Sequence, residues 1–394
     1  MPDAVGPPAR ILLVAACSWE STVPLATALR DAGFEVSIVA PPHHPLHAVP
    51  RLSGRWRYRP LMPMTSLRRA IEAAGASIIM PCDEPSIVLL QRLRRDPAVS
   101  ADIRAAIERA LGPEEAAPLL SSRTGLPKIA ERAGVRVPQS AEIGSARALL
   151  AWLKQYGAPA YLKIDRSNGG RGVVPVTATI GALFAYFRLR LLFGVPRTLW
   201  LWLRWGDLSS LPLLLAKGRA PITIQSAVDG VPANCALTAW QGNLLACVAV
   251  EALETRIPNG VATVIRVRDD ALMDEAAKKI AAQLGLSGLH GLDFILAHDT
   301  GVPWLIEING RPTQTAYLRL GARADLPGAL YAAVTGRPLE PAGIFKPLEV
   351  ITLFEQPSGD GPPVVESRAP AIASPAISSR ALPPTAANSV VLSR

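Results

Sequence analysis

Gly291-Leu292-Asp293-Phe294-Ile295, and shortly after it Leu305-Ile306-Glu307-Ile308-Asn309-Gly310-Arg311-Pro312, are the two segments on which the reading of this chain turns. Both are apolar runs of strand length. Strand alternation puts Asp293 and Ile295 on one face of the first, and Glu307, Asn309 and Arg311 on one face of the second. Carboxylates on otherwise apolar strands are costly unless paired or metal-bound. Two carboxylates and an amide oxygen, Asp293, Glu307 and Asn309, make a hard-oxygen donor set. That set suits Mg²⁺ (or Mn²⁺), which takes few protein ligands and leaves positions for phosphates and water. A structural ion pair between Glu307 and Arg311 is the alternative, and Asn309 and Asp293 at matching positions favour the metal.

Upstream, Tyr161-Leu162-Lys163-Ile164 leads into Ser167-Asn168-Gly169-Gly170-Arg171-Gly172. A lysine at a strand end supplies a point charge for phosphate, and a following glycine-rich turn lets backbone N–H groups close on phosphate oxygens. The loop lacks the GK[ST] ending of a P-loop, so its order relative to the Asp/Glu/Asn set carries the information.

Further out, residues 10–95 alternate strand-like and helix-like segments: strands at 11–16, 35–39 and 77–80, helices near 66–74 and over 84–94. This alternation implies a parallel, doubly wound sheet, whose ligands gather beyond the carboxyl ends of the strands. Those ends carry Cys17-Ser18-Trp19-Glu20 and Pro81-Cys82-Asp83-Glu84. No GxGxxG follows the first strand, which disfavours a dinucleotide-binding enzyme. Residues 101–157 read as mostly helical. From Ala160 the pattern turns to strands, at 161–164, 172–176, 222–228, 233–239, 243–251, 261–267, 291–296 and 304–308, with a helix over 271–284 capped by Gly285. Residues 180–217 form an apolar helical insertion carrying Trp200, Trp202 and Trp205, with no uninterrupted stretch as long as a bilayer span. It packs on protein, or lies at a membrane surface with Arg188, Arg190 and Arg197 near headgroup depth. The tail at 357–394 is rich in Pro, Ala and Ser and is expected to be disordered.

At 394 residues the chain is long enough for two or three packed units. Its apolar share of 49% with 19% charge marks a globular protein, so fibrous and disordered classes are excluded. The net charge of +9 comes mostly from scattered arginines. No aromatic-interleaved basic stripe accompanies it, so nucleic acid is not an expected partner. Cys17, Cys82, Cys235 and Cys247 show no metal-type spacing and read as small buried hydrophobes of a reducing compartment. Val14-Ala15-Ala16-Cys17 loosely resembles a lipoprotein box, but the apolar stretch before it is too short for a signal sequence, and a buried first strand is the better reading.

Taken together, Lys163 with its glycine loop, the strand Ile222-Thr223-Ile224-Gln225-Ser226-Ala227-Val228-Asp229-Gly230, then Asp293 and Glu307-Ile308-Asn309, resemble the ATP-grasp superfamily in order and spacing, and its carboxylate–amine ligases most. The resemblance covers roughly residues 10–340 and implies a Rossmann-like pre-ATP-grasp domain over 1–115. An ATP-grasp domain over 116–345 would follow, two α+β subdomains clasping ATP, with the insertion at 180–217. It further implies that Arg123 and Lys163 touch phosphates, that residues 167–172, with Ser167, Gly169, Gly170 and Gly172, are a flap, and that Gln225 to Val228 meet adenine. Lys128 competes with Arg123 for its role. Two positions depart from the family pattern: Gln225 stands where the hinge usually has Glu, and the ribose-binding acid is missing, leaving Pro232 and Asn234.

Arg311 reads either as a guanidinium stabilising a substrate carboxylate or acyl-phosphate, or as a salt bridge to Glu307. Arg266 is a second candidate for phosphate contact, or else a surface strand arginine. His290 reads best as a satisfied buried histidine. The implied reaction is ATP- and Mg²⁺-dependent joining of a small-molecule carboxylate to an amine in the cytoplasm, without nucleic acid, with contact at the inner membrane face through 180–217 and homo-oligomer formation as further expectations. A thiol nucleophile, or a catalytically weak nucleotide-binding protein at the membrane surface, are the rival readings.

Overall fold

The computed structural model describes residues 9–17, 21–120, 122–165, 172–192, 220–256 and 260–353, together with 199 and 203. The sequence opens as a parallel α/β layer: β1 (Arg10–Val14), α1 (Thr22–Asp31), β2 (Glu35–Ala40), β3 (Gly54–Arg57), α2 (Pro63–Ala74), β4 (Ile78–Pro81), α3 (Glu84–Arg94) and α4 (Ala101–Leu111). The sheet runs β3-β2-β1-β4, all parallel. Strands β1, β2 and β4 are largely buried runs because both faces are covered, whereas the edge strand β3 alternates. Ile11, Leu13, Val36 and Ile38 pack towards α1, while Leu12, Val14, Val39 and Ile79 pack with residues of α2, α3 and α4.

Asp83 fastens this layer at its carboxyl edge. One carboxylate oxygen caps α3 through Ser86 N (2.8 Å). The other accepts from the backbone N–H of Ala16 (2.8 Å) and Cys17 (3.0 Å), tying the end of β1 to the start of the helix. Asp83, at a strand end where ligands are expected to gather, is therefore a buried capping group, and burial pushes its carboxyl up.

Short helices α5 (Ala117–Leu120) and α6 (Leu126–Ala133) lead to β5 (Ser140–Glu142), α7 (Ala146–Tyr156), β6 (Ala160–Ile164), β7 (Val173–Val176), α8 (Thr179–Phe187) and β8 (Ile222–Ser226). These strands form an antiparallel sheet in the order β5-β8-β6-β7, with α7 and α8 on one core. The remaining elements are β9 (Gly230–Trp240), β10 (Asn243–Thr255), β11 (Ala262–Arg268), α9 (Ala271–Leu284), β12 (Gly288–Ala297), β13 (Pro303–Asn309), α10 (Leu326–Thr335) and β14 (Val350–Thr352). Their six-stranded antiparallel sheet runs β13-β12-β9-β10-β11-β14. Alternation divides it cleanly. Cys235, Leu237, Ala249, Leu292 and Phe294 pack with α9 and α6, while Ala236, Val248, Val250 and Leu289 share a core with α10 and with α1 of the parallel layer.

The insertion expected at 180–217 is described at 180–192 and at 199 and 203. There α8 buries Ala182, Ala185 and Tyr186 and leaves Ile180 (84%) and Phe184 (73%) exposed, as is Leu191 (68%) in the turn that follows it. No helix among the described residues is long and apolar enough to cross a membrane. The tail expected at 357–394 lies outside the described residues.

Candidate active site

The donor set of the opening segments forms on the six-stranded sheet. Asp293 pairs with Glu307 and Gly291 with Asn309 across β12 and β13. Asn234 of β9 lies opposite Asp293 on the other side. Directly opposed residues share a face, so Asn234, Asp293, Glu307 and Asn309 project together. Asp293 Oδ1 accepts from Asn234 Nδ2 (2.7 Å) and Oδ2 from Asn309 Nδ2 (2.9 Å). Asn309 thus donates through its nitrogen, which leaves its oxygen as the atom for a cation. Asn234 is held in turn, its Oδ1 accepting from Thr313 (3.3 Å) and Thr315 (2.9 Å). A Cβ at Gly291 would run into the Thr313 methyl, which explains the glycine of the GLD segment.

The cations arrive from the other antiparallel sheet and from the turn before α6. Lys163 on β6 is buried and donates to Gln225 Oε1 of β8 (2.6 Å), with the Ile306 carbonyl at 3.5 Å. Arg123 Nη2 donates to Glu307 Oε1 (2.6 Å) and Nη1 to the Ile164 carbonyl (3.0 Å). Asp165, just past β6, accepts from Ser122 Oγ (2.6 Å) and Arg123 N (3.3 Å), fixing the arginine's turn. Arg123 therefore links the end of β6 to β13, and it lines a pocket with Glu307, Leu119, Leu126 and Ile308.

The electrostatics follow. Burial, then the neighbouring Glu307, push the Asp293 carboxyl up. Burial also acts on Glu307, but Arg123 and Lys163 outweigh it and hold that carboxyl below its ordinary range. Burial lowers Lys163 to about 8 against the pull of Glu307. Two buried carboxylates side by side repel, and a divalent cation between them would relieve that cost. The buried Arg123 Nε has no hydrogen-bond partner among the described residues, so it could donate to an anion. The residues present fit Mg²⁺ and a polyphosphate.

Arg311 takes neither of its expected forms in full. Its Nε donates to Glu84 Oε1 (2.8 Å) at the start of α3, and Nη1 to the Pro312 carbonyl (3.1 Å). Its salt-bridge partner is Glu84 of the parallel layer, not Glu307. The second Glu84 oxygen is buried without a hydrogen-bond partner among the described residues. Burial pushes the Glu84 carboxyl up, with Arg311 opposing and Glu307 adding to the rise. The carboxyl edge of the parallel sheet thus adjoins the Asp293, Glu307 and Asn309 set.

Arg266 is not brought to this cluster. It pairs with Glu251 Oε1 (2.6 Å), as Arg268 does with Oε2 (2.7 Å). In register, Val250 lies opposite both Asn234 and Val267, so Arg266 falls on the face turned away from Asp293. Asn234 is brought in, as a support for Asp293. Gln225 meets Lys163, and Val228 lies just beyond the end of β8. His290 is fully buried, its Nε2 on the Ser287 carbonyl (2.8 Å), and burial lowers it to about 4. Ser167, Gly169 and Gly170 lie outside the described residues, while the Gly172 carbonyl accepts from Ile164 N (2.9 Å). Glu84 is the residue sequence reasoning placed only vaguely. Its position at a strand end was the available signal.

A parallel layer is thus followed by two antiparallel sheets, with Lys163 of one sheet and Arg123 beside it facing the carboxylate–amide set on the other. The model of the ATP-grasp domain matches residues 217–315, the stretch that carries Gln225, Asn234, Asp293, Glu307, Asn309 and Arg311, and the chain as a whole has the fold of ATP-grasp enzymes.

Among solved structures, N5-carboxyaminoimidazole synthetase from Staphylococcus aureus, complexed with ADP, is 15% identical with a TM-score of 0.59, covering 88% of this chain and 80% of that one. The biotin carboxylase domain of the Hydrogenobacter thermophilus 2-oxoglutarate carboxylase, a dimer in complex with MgADP, ADP and bicarbonate, is 14% identical with a TM-score of 0.59, covering 84% and 71%. Biotin carboxylase from Campylobacter jejuni, in an ATP complex, is 16% identical with a TM-score of 0.57, covering 83% and 71%. The comparison with curated proteins found no match.

Proposed function

We propose that this chain is an ATP-dependent ligase that activates a carboxylate as an acyl-phosphate and joins it to an amine. Residues 1–115 would form its pre-ATP-grasp domain and 116–345 its ATP-grasp domain. The observation that carries this reading is the convergence of Arg123 and Lys163 on Asp293, Glu307 and Asn309, with the Glu84–Arg311 pair alongside. Asp293, Glu307 and the Asn309 oxygen would hold Mg²⁺, which neutralises charge on the transferring phosphoryl group when bound. Arg123 and Lys163 would hold the phosphates of ATP, with Gln225 positioning Lys163.

In the reaction a substrate carboxylate oxygen attacks the γ-phosphorus and ADP leaves. The amine nitrogen then attacks the acyl carbon, phosphate leaves, and the nitrogen gives up a proton. Arg311 would face the carboxylate as its charge is redistributed. The test is ADP release against a panel of carboxylates and amino acids, with Glu307→Ala as control. Turnover that rises with a particular acceptor pair and vanishes in the variant supports the reading; equal background in both overturns it.

A second proposal concerns location. The exposed apolar residues of α8 support peripheral contact with a bilayer, with Arg188 beside them for anionic headgroups. Sedimentation with anionic liposomes, lost in Ile180→Ser/Phe184→Ser, is the expected result; no sedimentation of the wild type contradicts it, and concentration-dependent self-association would assign the face to a second copy instead.

A further inference from the structure

Behind the sheet that carries the donor set lies a second cluster that the proposed reaction does not use. Cys235 is on β9, Cys247 on β10 and Asp274 in the first turn of α9. Their ligand atoms all lie within 4.8 Å of one another. The Cys247 thiol donates to Asp274 Oδ1 at 3.1 Å, and the two free thiols lie in hydrogen-bond contact with each other. Cys235 is fully buried, whereas Cys247 and Asp274 are half-buried and reach the edge of the apolar core beneath α9.

We propose that Cys235, Cys247 and Asp274 form a binding site for a thiophilic divalent cation of the zinc class, separate from the magnesium site. Alternation fixes the separation: Cys235 follows Asn234 on β9, so its side chain leaves the opposite face of the sheet from Asp293. The donor chemistry fixes the ion. Two sulfurs and one carboxylate suit a borderline-soft cation with S, N and O ligands in a tetrahedron, and they do not suit Mg²⁺. Three protein ligands leave a fourth position, on the side where Cys247 and Asp274 reach solvent, for water or another small donor.

Binding exchanges two S–H bonds for two metal–sulfur bonds and releases two protons to solvent, while the carboxylate gives one oxygen. The ion would tie the first turn of α9 to β9 and β10, directly behind the strand position that orients Asp293. Its role in this account is structural. Cysteine spacing in the sequence gave no hint of it, because the ligands come from three separate elements.

The experiment titrates the reduced full-length protein with Cd²⁺, reading thiolate-to-metal absorption and proton release. One ion per chain and about two protons per ion are expected. Cys247→Ser, at the half-buried position, should abolish the absorption, and Asp274→Asn should weaken binding by about ten-fold, the usual scale for a lost ligand-shell interaction. Zn²⁺ should displace Cd²⁺, excess Mg²⁺ should not, and Cys17→Ser and Glu307→Gln should bind as the wild type does. No absorption at excess Cd²⁺, absorption retained in Cys247→Ser, or affinity unchanged in Asp274→Asn would overturn the site.

Discussion

Replacing Lys163 by methionine keeps the length of the side chain and removes its charge, and the structure fixes what should follow. Lys163 is 5% exposed, and burial brings its pKa from 10.5 to about 8. That fall corresponds to about 3 kcal/mol, since one pKa unit is about 1.4 kcal/mol. Between pH 8 and 10.5 the unfolded chain holds a proton at Lys163 that the folded chain has released. Wild-type stability therefore rises with pH across that window from this group, and below it the folded protein carries the full penalty. At neutral pH, Lys163→Met removes the penalty but strands Gln225 Oε1, which loses its 2.6 Å partner at a cost of about 1 kcal/mol. The variant should be more stable than the wild type by roughly 2 kcal/mol near pH 7, with the advantage gone near pH 10. Urea unfolding of both proteins at the two pH values measures this, and the difference between them cancels other titrating groups. The same variant should lose nucleotide binding. A variant less stable than the wild type at neutral pH, or a difference independent of pH, would refute the placement of a charged lysine held ready in a dry site.

Three other outcomes follow from the same geometry. Asn234→Ala should cost about 1–3 kcal/mol in denaturant unfolding, because it removes the 2.7 Å bond to Asp293 and leaves the Thr313 and Thr315 hydroxyls without their acceptor. Glu84→Ala should cost about 3 kcal/mol in the same measurement by taking the carboxylate from buried Arg311, whereas an exposed pair such as Arg10–Glu35 should cost under about 1 kcal/mol. His290 is held neutral, at about 4, so its contribution is complete above pH 6.5 and is lost as pH falls towards 4; acid unfolding of His290→Gln should lack that part of the wild type's pH dependence.

What the sequence disclosed, and what it hid, follows the range of the forces involved. Helix α9 was legible to the residue because Asp270 caps one end and Gly285 closes the other in a left-handed conformation. Helix α3, with its Asp83 cap, was equally plain. Strand β3 was not: Arg55 and Arg57 alternate outward on an edge, so no apolar run marks it. Helix α10 gave little amphipathic signal, being packed between the parallel layer and the six-stranded sheet. In the site, alternation within single strands was enough to bring Asp293, Glu307 and Asn309 together. Arg311 and Glu84 were beyond reach because 227 residues separate them and only the docking of the two layers joins them. Arg266 illustrates the limit of residue type without register: one position along β11 decides which face it serves.

The most direct test of the account is calorimetric titration of ATP into the wild type and into Glu307→Gln, each with and without Mg²⁺. The account predicts wild-type binding that depends on Mg²⁺ and is weakened by about ten-fold or more in the variant, on the scale of one lost charge-assisted interaction. ATP binding that is indifferent to Mg²⁺ and unchanged in Glu307→Gln would contradict it.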